Sequence, residues 1–440
     1  MKIRPFLLTI FCVLFVAAFN ADAERDLADI MGLVAKDDGR GEMQVGVIVS
    51  SQDDQLCPLL QKTLEQAVSS VCAMESCKKC RITPILRCVQ PELQVVLNEA
   101  KTLTEKNGVT LLIGPFDSRF VQSLSNYAAS ASVPVFLTDS PSLTYKTGTA
   151  PADNWSFQLA SNTFEEFKAF LKAMGPNLER VLVLLQDTPE DHETEVLLRA
   201  YATETGMKNI LFFFAPAFDQ PGIKKQEASS ETDGAAYISP VYKAIRGFEA
   251  KVIKKQGDLQ KSAVVSLLPP HALFPALPEG AQIKSILFIP AAALEKDVVN
   301  RYEGRFRLMA SLPPAVLGGE LPSEHPCAMA VMRFSLAMEE DGNDDVRHLT
   351  YSAILWDALW LVAEALHQEC SLPSNKWGTE KERQWFLETL EGSQRTFTGA
   401  TGRFGFRKGA HRKAVFDTNV IAERKDGAWH PVKETAAGIE

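Results

Sequence analysis

The chain has 440 residues, with 46 Lys and Arg against 55 Asp and Glu, a formal net charge of −9. That acidic balance excludes a surface built to neutralise nucleic-acid phosphates, so no nucleic acid partner is expected. An apolar share of 46% with 23% charged residues excludes a disordered chain and a polytopic membrane protein, and the length predicts two lobes with separate cores.

The N-terminus reads as an export signal. Lys2 and Arg4 precede a short apolar run from Pro5 to Phe19, below the ~18–20 residues that span a bilayer as a helix. Ala21-Asp22-Ala23 supplies small residues before a cleavage point, which predicts a signal peptide over 1–23 and a soluble protein released to the periplasm. Residues 24–42 are polar and read as a flexible leader, and no later segment reads as membrane-spanning.

Strands and helices then alternate. Val45 to Val49 is a continuous apolar run, as expected of a strand buried on both faces of a parallel sheet. Leu59 to Val71 has helical spacing. Arg81 to Arg87 is a second strand, with Pro84 pointing to an edge, and Pro91 to Lys106 is helical, with Pro91 suited to a first turn. Val109 to Ile113 is a third strand ended by Gly114-Pro115, followed by a helix over Ser118 to Ala131 and a fourth strand over Val133 to Leu137. Right-handed crossovers close this order into a doubly wound sheet.

Residues 139–156, rich in Ser, Thr, Pro and Gly, interrupt the pattern, which then restarts. Phe164 to Met174, His192 to Thr205 and Val241 to Lys255 read as helices. Arg180 to Leu185, Asn209 to Phe214, Ala263 to Leu268 and Ser285 to Ile289 read as strands. A helix over Glu295 to Leu308 is expected next, then a strand at Ala315-Val316-Leu317, then long helices at about 326–339 and 349–368. The C-terminal 60 or so residues turn to Gly, Thr, aromatic and β-branched types, which predicts short strands with hairpin turns.

In open parallel sheets, ligands sit beyond the carboxyl ends of the strands, where helix N-termini present N–H groups. Ser118, after the Gly114–Asp117 turn, offers a hydroxyl there; capping of the following helix by Asp117 or Ser118 is the plainer use. Thr138, Asp139 and Ser140 end the fourth strand at the same edge. Asp139 can accept from an ammonium and the hydroxyls can donate, although the same residues also make an ordinary turn. Trp155 and Phe157 flank the crossover and read as core or hinge packing.

Several segments together resemble the type I periplasmic binding proteins, and among them the leucine/isoleucine/valine-binding group that serves ABC transporters. VTLLIGPFDSRFVQSLSNYAASASVPVFLTDSPSL (Val109 to Leu143) is similar to that family's strand, Gly-Pro turn, helix, strand and ligand loop. YSAILWDALWLVAEAL (Tyr351 to Leu366) resembles its late helix, and TGATGRFGF with KDGAWHPV, within Phe397 to Val432, resembles its closing hairpins. The resemblance implies an α/β fold of two doubly wound parallel-sheet lobes joined by a three-segment hinge, with crossings near 157, 320 and 415. Lobe one is then 43–157 plus 321–414, and lobe two 158–320 plus 415–440. It also implies that Glu320, in Gly318-Gly319-Glu320, binds an amino group. The sequence departs from the family at Ser50–Asp54, at a shortened loop over Leu137–Pro141, at Asp187–Asp191 and in a longer 234–282 stretch. The implied function is capture of an amino acid or similar small polar ligand for an ABC transporter permease, with no catalytic residues, cofactor or metal. The alternative is a ligand sensor or regulatory module of the same fold, acting on a membrane or cell-wall partner without transport.

Without the leader seven cysteines remain, and export makes disulfides the expected state. Cys57 and Cys88 follow neighbouring strands and share one sheet edge. Cys72 shares the opposite edge with Cys77 and Cys80, and Cys327 and Cys370 bracket two antiparallel helices. The spacing of Cys72, Cys77, Cys80 and Cys88 also admits a zinc set, and Cys77-Lys-Lys-Cys80 a redox pair, though redox examples open a helix and this one precedes a strand. No nucleophile elbow, P-loop, H-E-x-x-H or G-x-G-x-x-G occurs, and the seven histidines form no ligand-spaced pair.

Overall fold

The computed structural model describes residues 41–72, 80–139, 155–174, 178–207, 209–216, 239–255, 257–268, 281–291, 304–338, 345–368, 378–392, 396–406 and 419–432, with isolated positions at 273, 277, 294 and 299–300. The fold over Glu42–Glu440 is one compact unit built on two sheets.

The first sheet holds β1 (Gly41–Ser50), β2 (Cys80–Val89), β3 (Leu111–Gly114), β4 (Val135–Leu137) and β5 (Ser156–Gln158), in the order β2-β1-β3-β4-β5. Pro84 lies in β2, an edge strand, where a missing N–H costs no ladder bond. β1 pairs parallel to β3, β3 to β4 and β4 to β5. Alternation along β1 sends Val45, Val47 and Val49 into one core and Ile48 into another, so both sheet faces are covered. The covering helices are α1 (Leu56–Cys72), α2 (Leu93–Glu105) and α3 (Ser118–Ser130). In α1 the apolar face is Leu56, Leu60, Leu64, Ala67 and Val71, at helical spacing. Pro91 lies just outside α2, ahead of the N-cap Glu92.

After β5 the chain enters α4 (Thr163–Met174), β6 (Arg180–Gln186), α5 (Pro189–Glu204), β7 (Ile210–Ala215), α6 (Pro240–Lys254), β8 (Ser262–Ser266), β9 (Ile286–Pro290) and β10 (Arg307–Leu312). Strands β6 to β10 form a parallel array, and the hairpin β13 (Val420–Lys425) and β14 (Ala428–Pro431) adds antiparallel to β10. The resulting seven-stranded order is β14-β13-β10-β9-β8-β6-β7. Between β10 and that hairpin come α7 (Pro314–Leu317), a 3-10 turn at Gly318–Glu320, α8 (Ala328–Met338), α9 (Val346–Gln368), α10 (Glu380–Gly392) and the small ladder β11 (Phe397–Thr398) with β12 (Arg403–Phe404). Here α8 and α9 pack on α1, beside the first sheet. By length and composition α9 could cross a membrane, yet 78% of its apolar window is buried inside this fold.

Three sequence expectations are corrected. The helix expected to reach Leu308 has ended by Gly304, whose φ is +75°, and Leu308 belongs to β10. The strand expected at Ala315–Leu317 is the helical turn α7. Pro313-Pro314 cannot continue a ladder, and Pro314 supplies the fixed φ of a first helical turn. The tail read as strands contains α10, whose buried Glu382, Arg383, Phe386, Leu387 and Leu390 follow helical spacing among strong helix formers.

Candidate functional site

The carboxyl ends of strands from both sheets meet at one narrow cavity of about 40 Å³. Thr138 and Asp139 follow β4 in the first sheet, while Ala291 and Pro313 follow β9 and β10 in the second. Arg347, Thr350, Tyr351 and Ile354 reach it from the opening turns of α9, and Ser161 and Glu166 from the crossover and α4. Water needs about 10–15 Å³ of such space, so the cavity holds only a few waters.

The turn after β3 sets one wall. Gly114 has φ +148°, and a Cβ there would lie 2.5 Å from the carbonyl oxygen of Ile48, so only glycine fits. Phe116 has φ +61°, unusual for a residue with a side chain, and its N–H donates to Thr138 Oγ1 at 2.9 Å. The buried Phe116 ring meets Tyr351 edge-on at 5.4 Å, and Tyr351 Oη donates to Asp139 Oδ2 at 3.0 Å. Burial raises the Tyr351 phenol far above its ordinary pKa, and the Asp139 charge raises it further, so it stays a donor. The Arg347 guanidinium lies 5.6 Å from the Tyr351 ring centre.

Beside this group, His348 Nε2 and Asp53 Oδ2 are 2.6 Å apart and tie α9 to the loop after β1. Burial works to raise the Asp53 carboxyl. The His348 hydrogen bond, the Gln55 N–H and the charges of His348 and Arg347 together outweigh it, and the net shift is downward.

The opposite wall is a second network. Ser161 Oγ donates to Glu166 Oε1 and the Ala291 N–H to Oε2, both at 3.0 Å. Asn419 Nδ2 donates to Ser161 Oγ at 3.1 Å and to Ser311 Oγ at 3.3 Å, linking the first crossover to the entry of β13. The Thr401 wall is held from behind by Asp357 of α9. Its carboxylate accepts from the N–H groups of Ala400 and Thr401 at 2.7 Å and from Thr401 Oγ1 at 2.6 Å.

Of the residues expected at the site, Thr138 and Asp139 line the cavity. Ser118 does not: it is exposed on the first turn of α3, where Asp117 is the N-cap and accepts from the Arg119 N–H at 3.0 Å. Glu320 is exposed and faces His430 Nδ1 at 3.5 Å, away from the lining residues. Ser140 lies outside the described residues. Phe157 is core, stacked edge-on with Phe136 and Phe406, and Trp155 packs against the same core. Sequence reasoning missed Arg347, Glu166 and Asn419. Arg347 sits one helical turn before the Tyr351 motif, a position that could have flagged it; Glu166 and Asn419 carry no local signal.

Cys57 and Cys88 form a disulfide, with Cα atoms 6.1 Å apart. Cys88 is therefore not available to the zinc set that its spacing admits. Cys72 ends α1 and Cys327 is buried ahead of α8; Cys77 and Cys370 lie outside the described residues.

A profile of the family described as Periplasmic binding protein matches residues 90–233, about a third of the chain. No curated protein matches the sequence. Among solved structures, an extracellular ligand-binding receptor from Rhodopseudomonas palustris HaA2 is similar at 14% identity and TM-score 0.63, covering 89% of this chain and 100% of that one. An ABC transporter substrate-binding protein from Desulfitobacterium hafniense, in complex with Leu, is similar at 15% identity and TM-score 0.62, with coverage of 89% and 100%. A solute-binding protein from R. palustris in complex with 4-hydroxybenzoate is similar at 12% identity and TM-score 0.56, covering 89% and 95%. The fold is that of the type I periplasmic binding proteins, and the Val109 to Leu143 resemblance falls inside the matched stretch.

Proposed function

We propose that this chain is an exported solute-binding protein that captures an amino acid or similar small polar ligand between two lobes and hands it, chemically unchanged, to an ABC transporter permease. One observation carries the reading: a single cavity walled by strand ends of both sheets, with Thr138 and Asp139 on one side and Ala291 and Pro313 on the other. The lobes are 43–157 plus 321–414 and 158–320 plus 415–440, and the segments near 157, 320 and 415 act as the hinge. The narrowness of the cavity fits a closed arrangement that opens about that hinge to admit ligand. The leader over 1–23 directs export to the periplasm and is removed.

A thermal-shift screen of amino acids, small carboxylates and amides, followed by X-ray scattering with and without the best compound, tests this. The expected result is a raised unfolding temperature and a smaller radius of gyration on binding. A panel with no stabilising compound, or a bound form with an unchanged scattering curve, refutes capture by lobe closure.

A further inference from the structure

We infer that Asn419 is the positioning residue of the hinge: its amide ties the three crossings together on the second-sheet side, which confines bending to Ala160 in the first crossing and Leu312–Pro314 in the second. This rests on the two-lobe capture reading above and narrows its hinge. Asn419 immediately precedes β13, Ser161 stands between β5 and α4, and Ser311 is a buried residue near the end of β10. The Asn419 amide donates to both serine hydroxyls, at 3.1 Å to Ser161 Oγ and 3.3 Å to Ser311 Oγ. Ser161 Oγ donates onward to Glu166 Oε1 of α4, and Glu166 Oε2 accepts from the Ala291 N–H that follows β9. Three crossings far apart in sequence are thereby joined to each other and to the second sheet.

The first sheet holds two of these crossings from its own side. The Leu159 N–H donates to the Leu137 carbonyl at 3.0 Å, prolonging the pairing of β4 with β5. The Ala315 N–H donates to the Ala400 carbonyl at 2.9 Å, in the turn that Asp357 holds, and α7 packs on α8 and α9. In the first crossing Ala160 alone separates the attachment to one sheet from the attachment to the other. In the second, Leu312, Pro313 and Pro314 separate them. Rotation of one lobe against the other has to be absorbed by backbone dihedrals, and it falls where neither sheet holds the chain. Pro313 and Pro314 fix two φ angles there, so ψ carries the rotation. In the third crossing Asn419 is itself the attachment, and 407–418 ahead of it lie outside the described residues. Without the Asn419 amide the crossings bend independently, the ligand-free lobes sample more orientations, and a smaller fraction is ready to bind.

Amide hydrogen exchange read by mass spectrometry, with X-ray scattering, compares the ligand-free protein with Asn419→Ala. Exchange is expected to rise at least roughly threefold in the peptides around 158–163, 311–315 and 419–423 together, with β1 and β3 unchanged. The scattering of the variant should show a broader distribution of interatomic distances. A residue that only packs locally would move the 419–423 peptide alone, and that result overturns the inference, as does an unchanged scattering curve. Ser311→Ala removes one of the two Asn419 bonds, so it should raise exchange at 311–315 and 419–423 and leave 158–163 unchanged. If Asn419→Ala does not fold, Ser311→Ala decides: no rise at 311–315 overturns the inference. These measurements need no ligand, so a compound screen without a hit overturns capture and leaves the hinge assignment to stand or fall on exchange.

Discussion

Replacing Asp357 by alanine removes one carboxylate that accepts three hydrogen bonds in the buried interior, from the Ala400 and Thr401 N–H groups and from Thr401 Oγ1. Two buried backbone donors and a hydroxyl lose their acceptor together. The expected loss of unfolding free energy is about 4 kcal/mol, within the range for breaking a buried charged network from one side. Asp357→Asn keeps one acceptor oxygen but turns an NH₂ toward a donor, so about 2 kcal/mol is expected. A second perturbation sharpens the case. A Cβ on Gly399 would collide with the Asp357 carboxylate, so Gly399→Ala is costly alone and cheap once residue 357 is alanine. Urea unfolding of the four proteins in this cycle measures both quantities. A loss below about 1 kcal/mol for Asp357→Ala, or additive effects of the pair, refutes the view that this carboxylate clamps the turn.

The remaining expectations concern the turn, the disulfide and acid stability. Gly114→Ala should destabilise by roughly 2–4 kcal/mol, because its backbone conformation and the Ile48 carbonyl both exclude a side chain, and thermal unfolding reads this out. Cys57→Ser with Cys88→Ser should cost about 3.7 kcal/mol by loop-closure entropy over a separation of 31 residues, measured by urea unfolding of the oxidised parent and the variant. The folded Asp53 carboxyl titrates below its ordinary value of 3.8, so its contribution to stability is complete above that pH and is lost as pH falls through the lower folded value. Asp53→Asn should therefore lower stability at neutral pH and flatten the acid limb of the stability profile; an unchanged acid limb counts against the His348 contact.

Local chemistry made much of this molecule legible. Short apolar runs such as Val45–Val49 and Arg180–Leu185 mark strands because burial on both faces leaves no polar alternation. The helix errors are also local in origin. Leu308 and Ala315–Leu317 are apolar in either setting, and only the position of Gly304 and of Pro313-Pro314 decides which is strand and which is turn. Thr138 and Asp139 are readable as the end of a strand at the carboxyl edge of the first sheet.

The amino-acid order by itself determined the alternation of elements, the two-sheet class and the strand-end position of Thr138 and Asp139, all of which follow from periodicity over a few residues. Tertiary structure alone decided that Glu166 meets the Ala291 N–H, 125 residues on, that Tyr351 meets Asp139 across 212, and that Asn419 meets Ser161 across 258. Those meetings depend on how two sheets and the long helix α9 pack, a long-range balance of buried apolar surface that leaves no local trace at the polar residues it brings together.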